Sequence, residues 1–280
     1  MNKKIIKTIL FVTFFVGIFI LTYPFISQYW NSKVQSERVI DYKKNLETIE
    51  VEDYSNIFEE AEHYNTELSK LEYPFIEYSK LSNYQNILNM NNTGMIGYIK
   101  IDKLKLELPI YHGTTASTLN VAVGHLEGSS LPIGGENTHS VLAAHRGLPS
   151  AELFTNITKL EIGDTFTITV LDRTLTYQVD NITIVAPTDV SQLKIISGKD
   201  YVTLLTCTPY GLNFHRLLVR GTRIDNIEEK MVIITSEASQ VNKEIVTIIM
   251  TIPVILCLII YIILKPTKKE IDYTKYISNI

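Results

Sequence analysis

The chain has 280 residues, of which 26 are basic and 30 acidic, giving a net charge of −4. This length allows one domain of ordinary size together with membrane-spanning segments, and the balanced charge gives no basic footprint for a nucleic-acid partner. Only two cysteines are present, Cys207 and a second, Cys257, that lies inside a hydrophobic run, so a disulfide framework is excluded.

Residues 5–26 form an apolar run long enough to cross a bilayer as a helix. Lys3 and Lys4 precede the run. A cleavable signal peptide is the alternative interpretation. The segment after the run lacks a small-residue cleavage site of the A-x-A kind, so the sequence favours a retained anchor.

An amphipathic helix is predicted from about Asp53 to Leu71. Apolar side chains recur there at spacings of three or four residues, and acidic side chains occupy the other face. The apolar positions are Tyr54, Phe58, Ala61, Tyr64, Leu68 and Leu71. The following residues 81–92 are rich in asparagine and have no clear period, which indicates an irregular connection.

From Met95 onward the pattern is that of short β-strands. Residues 95–101 and 106–112 are strand candidates, and a hairpin is predicted at residues 165–179, where apolar and polar side chains alternate around a turn. Short strands separated by glycine and proline predict a closed or nearly closed β-barrel. Periodicity alone does not separate a barrel from a sandwich.

A lone thiol, Cys207, ends the predicted strand 202–207, and a second strand, 215–224, returns after a turn. This hairpin would bring Arg216 close to the thiol. A cation in that position favours the thiolate and can hold the oxyanion formed when the thiolate attacks an acyl group. Taken from the residues alone, an inert cysteine in a β core remains the alternative.

Six histidines are candidates for a general acid or base. A zinc site built from His125, His139 and His145 is disfavoured, because the spacing is not that of a compact site and no second cysteine lies outside the apolar runs. We therefore expect no metal and no cofactor.

A second apolar run, residues 245–264, is followed by Lys265, Lys268 and Lys269. Lysines flank the outer ends of both runs. The positive-inside rule then predicts two membrane spans, with both termini in the cytoplasm and residues 28–244 outside.

The residues from Met95 to Ile224 resemble the sortase family, and in particular its class C, pilin-polymerising branch. The resemblance is carried by TLLTC at 203–207, by CTPYG and HRLLVRG after it, and by HRGLP at 145–149. It implies a mainly β fold, an eight-stranded barrel with an N-terminal helical arm and two flanking transmembrane helices. The expected divisions are an anchor at 1–27, the arm and a lid at 28–94, the barrel at 95–226, a linker at 227–244, the second span at 245–264 and a cytoplasmic tail at 265–280.

The resemblance also implies the chemistry. Cys207 would be the nucleophile, His145 the general acid and base, and Arg216 the oxyanion partner, with family position selecting Arg216 over the neighbouring Arg220. We expect the three residues before the cysteine, Leu204, Leu205 and Thr206, to contact substrate.

The implied reaction is transpeptidation at the surface of a Gram-positive cell. The enzyme would cleave an LPxTG-like sorting signal of a pilin and join the threonine to a lysine amine of another pilin. Two alternatives stay open: a cell-wall anchoring sortase that uses a peptidoglycan-precursor amine, and an inactive membrane scaffold that binds pilins.

Class C sortases usually carry a lid with the pattern Asp-Pro-aromatic. The matching segment here is Tyr73-Pro74-Phe75, preceded by Glu72, so tyrosine stands where the family has aspartate. The resemblance implies a lid over Cys207 that lacks its usual anionic contact. An ordinary turn at the end of the arm helix is the alternative.

Overall fold

The computed structural model describes residues 3–48, 54–90, 92–226 and 251. The chain divides into two units, residues 1–23 with 240–280, and residues 24–239. Eight strands and the helices that pack on them lie in the second unit, which holds every residue of the predicted site.

The N-terminal helix α1 runs from Lys3 to Thr48. Its residues Ile5–Glu47 contain a window apolar enough to cross a membrane, and no other helix in the described part of the chain meets that test. The apolar run at 5–26 therefore predicts only the first half of α1. The second predicted span and the linker before it lie outside the described residues, apart from Thr251, so two spans and a retained anchor stay predictions.

The remaining helices are short or lie on the arm. They are α2 (Ser55–Ser69), α3 (Pro74–Glu77) and α4 (Ala116–Leu119), together with 3-10 turns at Tyr78–Lys80, Asp102–Leu104, Ile157–Lys159 and Ser191–Leu193. The helix predicted from Asp53 to Leu71 is confirmed as α2, which buries Phe58, Ala61, Tyr64 and Leu68 as its periodicity requires. The irregular segment between residues 81 and 92 contains no regular element among its described residues.

Eight strands close into a barrel in the order β1-β2-β3-β4-β7-β8-β6-β5. The ring closes where β1 pairs with β5, with Tyr98 opposite Thr169, so the predicted barrel is confirmed and a sandwich is excluded. The pairings β2–β3 and β4–β7 are parallel, and the others are antiparallel. The strands are β1 (Met95–Ile101), β2 (Leu106–His112), β3 (Val123–His125), β4 (Thr138–Ala143), β5 (Thr165–Val170), β6 (Arg173–Val185), β7 (Asp200–Thr208) and β8 (His215–Ile224).

The barrel interior is filled by the inward side chains of these strands. Successive side chains of a strand point to opposite faces, so each strand contributes every second residue to this core. Phe166 and Tyr177 stack with ring centroids 5.7 Å apart, and Gly221 on β8 makes room for them. A Cβ atom at Gly221 would stand only 2.8 Å from the Phe166 ring.

Polar side chains attach the helices to the barrel. Asn65 on α2 donates to the carbonyl of Leu131 and accepts from its amide, at 3.1 and 2.7 Å. Tyr42 on α1 donates its hydroxyl to the Ile96 carbonyl and accepts from the Leu171 amide, both at 2.9 Å. Burial there holds the pKa of Tyr42 well above its usual range, so the phenol stays neutral and keeps both bonds.

Candidate active site

Cys207 and Arg216 face each other across neighbouring strands. Strands β7 and β8 pair antiparallel, and the register sets Cys207 directly opposite Arg216. Directly opposed residues of an antiparallel pair have Cα atoms about 4.5–5.5 Å apart. The predicted hairpin is confirmed, and it brings the lone described thiol and this arginine together.

His145 reaches the same place from β4. Strands β4 and β7 run parallel, with Ala143 opposite Leu205. Just beyond, the Ala144 amide donates to the Leu205 carbonyl at 3.1 Å, and the Thr206 hydroxyl donates to the Ala144 carbonyl at 2.7 Å. His145 follows at once, so it emerges beside the end of β7 that carries Cys207.

The three residues line one cleft of about 520 Å³ on the outer face of the barrel. Its floor is a small apolar cluster made by Val141, Leu193 and Leu218, against which Phe75, Leu126, Val185 and Leu205 pack. A cleft of this kind combines an apolar floor with a few reactive polar groups at one end, which suits an extended peptide with apolar side chains.

The residues before the cysteine divide between the cleft and the core. Leu205 and Thr206 line the cleft, but the Thr206 side chain is 0% exposed and donates its hydroxyl to the Ala144 carbonyl, so it lies on the Leu204 face of β7. Leu204 is 0% exposed and belongs to the barrel core, because it points to the opposite face of β7 from Leu205. The structure therefore places Leu204 away from any substrate in the cleft.

The two arginines on β8 differ in their surroundings. Arg220 is held by Asp180 through two parallel bonds of 2.9 and 3.0 Å, and its guanidinium lies 4.3 Å from the ring centre of Tyr201. Arg216 instead lines the cleft, and its Nη1 donates to the carbonyls of Asn213 and His215, both at 3.0 Å. Arg220 is thus committed to a structural ion pair, whereas Arg216 stands at the thiol.

The buried histidines are structural. His125 contacts the Tyr84 hydroxyl through Nδ1 and the Ser130 carbonyl through Nε2, both at 2.8 Å. Burial lowers the pKa of His125 to about 4. His139 is bonded to the Lys194 carbonyl and the Thr203 hydroxyl at 2.9 and 2.7 Å, and burial also lowers its pKa to about 4.

With both ring nitrogens engaged, neither His125 nor His139 is available as a metal ligand. Within the described ranges no group of three or more His, Cys, Asp or Glu side chains is arranged to hold a metal ion.

The backbone after His145 makes a tight turn. Gly147 has a φ of +78°, and a Cβ atom there would stand 2.6 Å from the ring of Tyr210. The Gly147 amide donates to the Thr155 hydroxyl at 3.0 Å. A glycine is required because the backbone is left-handed and passes directly against the β7–β8 loop.

The Tyr73-Pro74-Phe75 segment lies at the cleft, but its residues are placed differently. Phe75 lines the cleft and packs on the apolar floor, while Tyr73 is 57% exposed. Pro74 begins α3, and the Tyr73 amide donates to the Glu77 carboxylate at 3.1 Å.

The docking point of this segment is Gly128, which sequence reasoning missed. It has a φ of +84°, and a Cβ atom there would stand 2.7 Å from the Phe75 Cα and 2.8 Å from the Pro74 carbonyl oxygen. A single glycine after the irregular Leu126-Glu127 gives no periodic signal, so only the folded backbone shows this role.

This chain is similar in sequence and in fold to proteins of the sortase family. The Sortase domain family matches residues 99–224. A solved structure of Streptococcus pneumoniae sortase C is 44% identical, with 68% of this chain and 97% of that chain covered and a TM-score of 0.62. The Clostridium perfringens sortase C, solved with the C-terminal cell wall sorting motif, is 42% identical, with 68% of this chain and 100% of that chain covered and a TM-score of 0.60. Sortase D of Bacillus subtilis is 32% identical over 131 residues, which are 46% of this chain and 63% of that protein.

The buried histidines predict a loss of stability in mild acid. Unfolded histidine titrates near 6.5 and these two near 4, so between those pH values the unfolded chain binds more protons and is stabilised relative to the folded one. We expect the free energy of unfolding of the detergent-solubilised chain, measured in urea, to fall as the pH drops from about 6.5 towards about 4.

Two variants test whether the buried histidines cause this dependence of the free energy of unfolding on pH. His139→Gln should flatten part of it, while His63→Gln, on the exposed face of α2, should leave it unchanged. An unaltered slope in His139→Gln would show that other groups cause the acid sensitivity.

Proposed function

The chain belongs to the sortase family of cysteine transpeptidases, and from this premise we propose that it polymerises pilins. It would cleave an LPxTG-like sorting signal and join the threonine to a lysine amine of another pilin. The observation that carries the proposal is the convergence of Cys207 on β7, Arg216 on β8 and His145 just after β4 at one end of an apolar cleft.

In the first half-reaction the Cys207 thiolate attacks the threonine carbonyl carbon. The carbonyl oxygen becomes an oxyanion, which the Arg216 guanidinium stabilises. Among the described residues, the hydrogen bonds of Arg216 to the Asn213 and His215 carbonyls use only Nη1. Its Nε and Nη2 atoms therefore remain to bind the substrate. His145 protonates the departing amine as the peptide bond breaks, which leaves a thioester on Cys207.

In the second half-reaction a lysine amine replaces the thiolate. His145 accepts a proton from the incoming amine, the amine attacks the thioester carbon, and Cys207 leaves as the thiolate. The product is an isopeptide bond. The apolar floor under Phe75 would accept the leucine and proline of the sorting signal, next to the substrate contacts that we propose for the Leu205 side chain and the Thr206 backbone.

The relatives support this choice of substrate. The Streptococcus pneumoniae sortase C is described with respect to pilin substrate specificity, and the Clostridium perfringens enzyme with a cell wall sorting motif. The apolar helix α1 supports a membrane anchor. We propose that the catalytic unit lies outside the cell, where sorting signals of surface proteins are available.

The nucleophile provides the first test. Cys207→Ala should abolish both the covalent acyl-enzyme and the ladder of crosslinked pilins, because no other described thiol can replace it. Full-length enzyme in detergent is incubated with candidate pilins, and the products are resolved by electrophoresis and mass spectrometry. A Cys207→Ala protein that still forms ladders defeats the mechanism, and a wild type that transfers only to peptidoglycan-type amines shows an anchoring enzyme instead.

The two arginines should separate chemistry from stability. Arg216→Ala should lower turnover about 100-fold or more, the scale of losing an oxyanion donor. Arg220→Ala removes the ion pair with Asp180, so it should lower the melting temperature while turnover per folded molecule changes much less. Equal losses of turnover in the two folded variants would show that Arg216 is not the specific oxyanion partner.

The lid assignment is tested by thiol accessibility. Phe75→Ala removes a partly buried ring, and because complete burial of such a ring contributes about 1.5–3 kcal/mol, the open state should gain several-fold to about tenfold over the closed one. Alkylation of Cys207 should accelerate accordingly. Tyr73→Ala is the matched control, because the exposed Tyr73 lies outside the cleft and its loss should not change the rate. No acceleration in Phe75→Ala would leave the segment as a helix-starting turn.

A further inference from the structure

A side-chain contact joins the residue after His145 to the residue after Cys207. The Nη1 atom of Arg146 donates to the Thr208 hydroxyl at 3.0 Å. We propose that Arg146 is a positioning residue, which sets the separation of His145 and Cys207 through this bond. The inference rests on the proposed transpeptidase function.

The contact stands where the backbone ladder stops. Strand β4 ends at Ala143, and the last backbone bond to β7 joins the Ala144 amide to the Leu205 carbonyl. Beyond it the His145 carbonyl accepts from the Phe154 amide at 3.1 Å, so the chain has turned away from β7. In the described part of the chain, Arg146–Thr208 is therefore the hydrogen bond that joins these two segments past His145 and Cys207, where the Tyr210 ring also packs against Gly147.

The position of the Arg146–Thr208 bond is consistent with a positioning role and not with contact to the substrate. Side chains alternate along β7, so Thr208 points away from the face that carries the Cys207 sulfur, and it is 8% exposed. Arg146 does not line the cleft. The guanidinium thus braces β7 from the side opposite the substrate.

The surroundings of Arg146 exclude the usual role of an arginine in an ion pair. No carboxylate among the described residues forms a salt bridge with it, and its Nε is buried without a hydrogen-bond partner. A buried unpaired donor lowers stability, so this arginine is poorly explained as a stabilising group. Among the described residues, its one side-chain hydrogen bond is to the Thr208 hydroxyl beside the nucleophile.

Loss of the Arg146–Thr208 bond should affect the rate of the chemical step. His145 must stand within hydrogen-bond distance of the leaving amine and later of the incoming amine. A displacement of about 1 Å can cost about 100-fold in rate. Substrate binding uses the cleft floor, which the contact does not touch, so the loss should appear in kcat rather than in KM.

The test is a double-mutant cycle on the full chain in detergent, with an LPxTG peptide as donor and a primary amine as acceptor. Arg146→Gln and Thr208→Val should each lower kcat about 10- to 100-fold with little change in KM. The double variant should lose no more than either single one, because both remove the same bond. Thr208→Ser keeps the hydroxyl and should restore kcat, and Arg146→Lys should restore part of it.

Arg173→Gln is the matched control. It removes the same charge from an arginine that pairs with Glu62 and lies over the Phe58 ring, so kcat should stay at the wild-type value. Should Arg146→Gln not fold, the nearly isosteric Thr208→Val still decides the question. Wild-type kcat in a folded Thr208→Val, or additive losses in the double variant, would overturn the positioning role. A wild type inactive on the peptide would instead overturn the proposed function and this inference with it.

Discussion

The site depends on the parallel pairing of β4 with β7. Parallel neighbours end at the same edge of a sheet, so two chain segments that lie 62 residues apart deliver His145 and Cys207 to one place. The antiparallel return of β8 then supplies Arg216 directly opposite the cysteine. A slip of one residue between β4 and β7 would turn one of the two side chains to the other face of the sheet.

The barrel makes this geometry rigid. Alternation along β7 and β8 sends Leu204 and Val219 into the closed core and leaves Leu205, Cys207 and Leu218 for the cleft. The reactive groups therefore stand at the ends of strands whose other face is close-packed. Strands hold side chains more closely than loops do, which suits a reaction that needs three groups in register.

Whether a strand could be predicted from the sequence depends on its pattern of exposed and buried side chains. Strands β1, β2, β7 and β8 could be predicted because short strand-forming runs are bounded by turn residues, and β5 and β6 because apolar and polar side chains alternate around a turn. Strand β4 could not, because all six of its residues are buried, polar and apolar alike, and the strand has no exposed face to give an alternation. Strand β3 has only three residues, too few for a period.

The candidate site was predictable to different degrees. The proximity of Cys207 and Arg216 follows from a local hairpin, whereas the choice of Arg216 over Arg220 needed the family resemblance. His145 comes from the edge of β4, which has no period, and only family resemblance could assign it. The separation of Leu204 from Leu205 follows from strand alternation, whereas the docking of Phe75 on Gly128 is a contact between distant segments that no local pattern encodes.

The loop after His145 is held from several sides, which explains why a histidine beyond the end of a strand can be placed reproducibly. Arg146 ties it to β7, Gly147 ties it to Thr155, and Asn31 on α1 donates to the Ser150 carbonyl at 2.7 Å. The last bond reaches 119 residues along the chain. Because it comes from α1, the part of this helix after Pro24 belongs to the same unit as the barrel, and it holds the loop that follows His145.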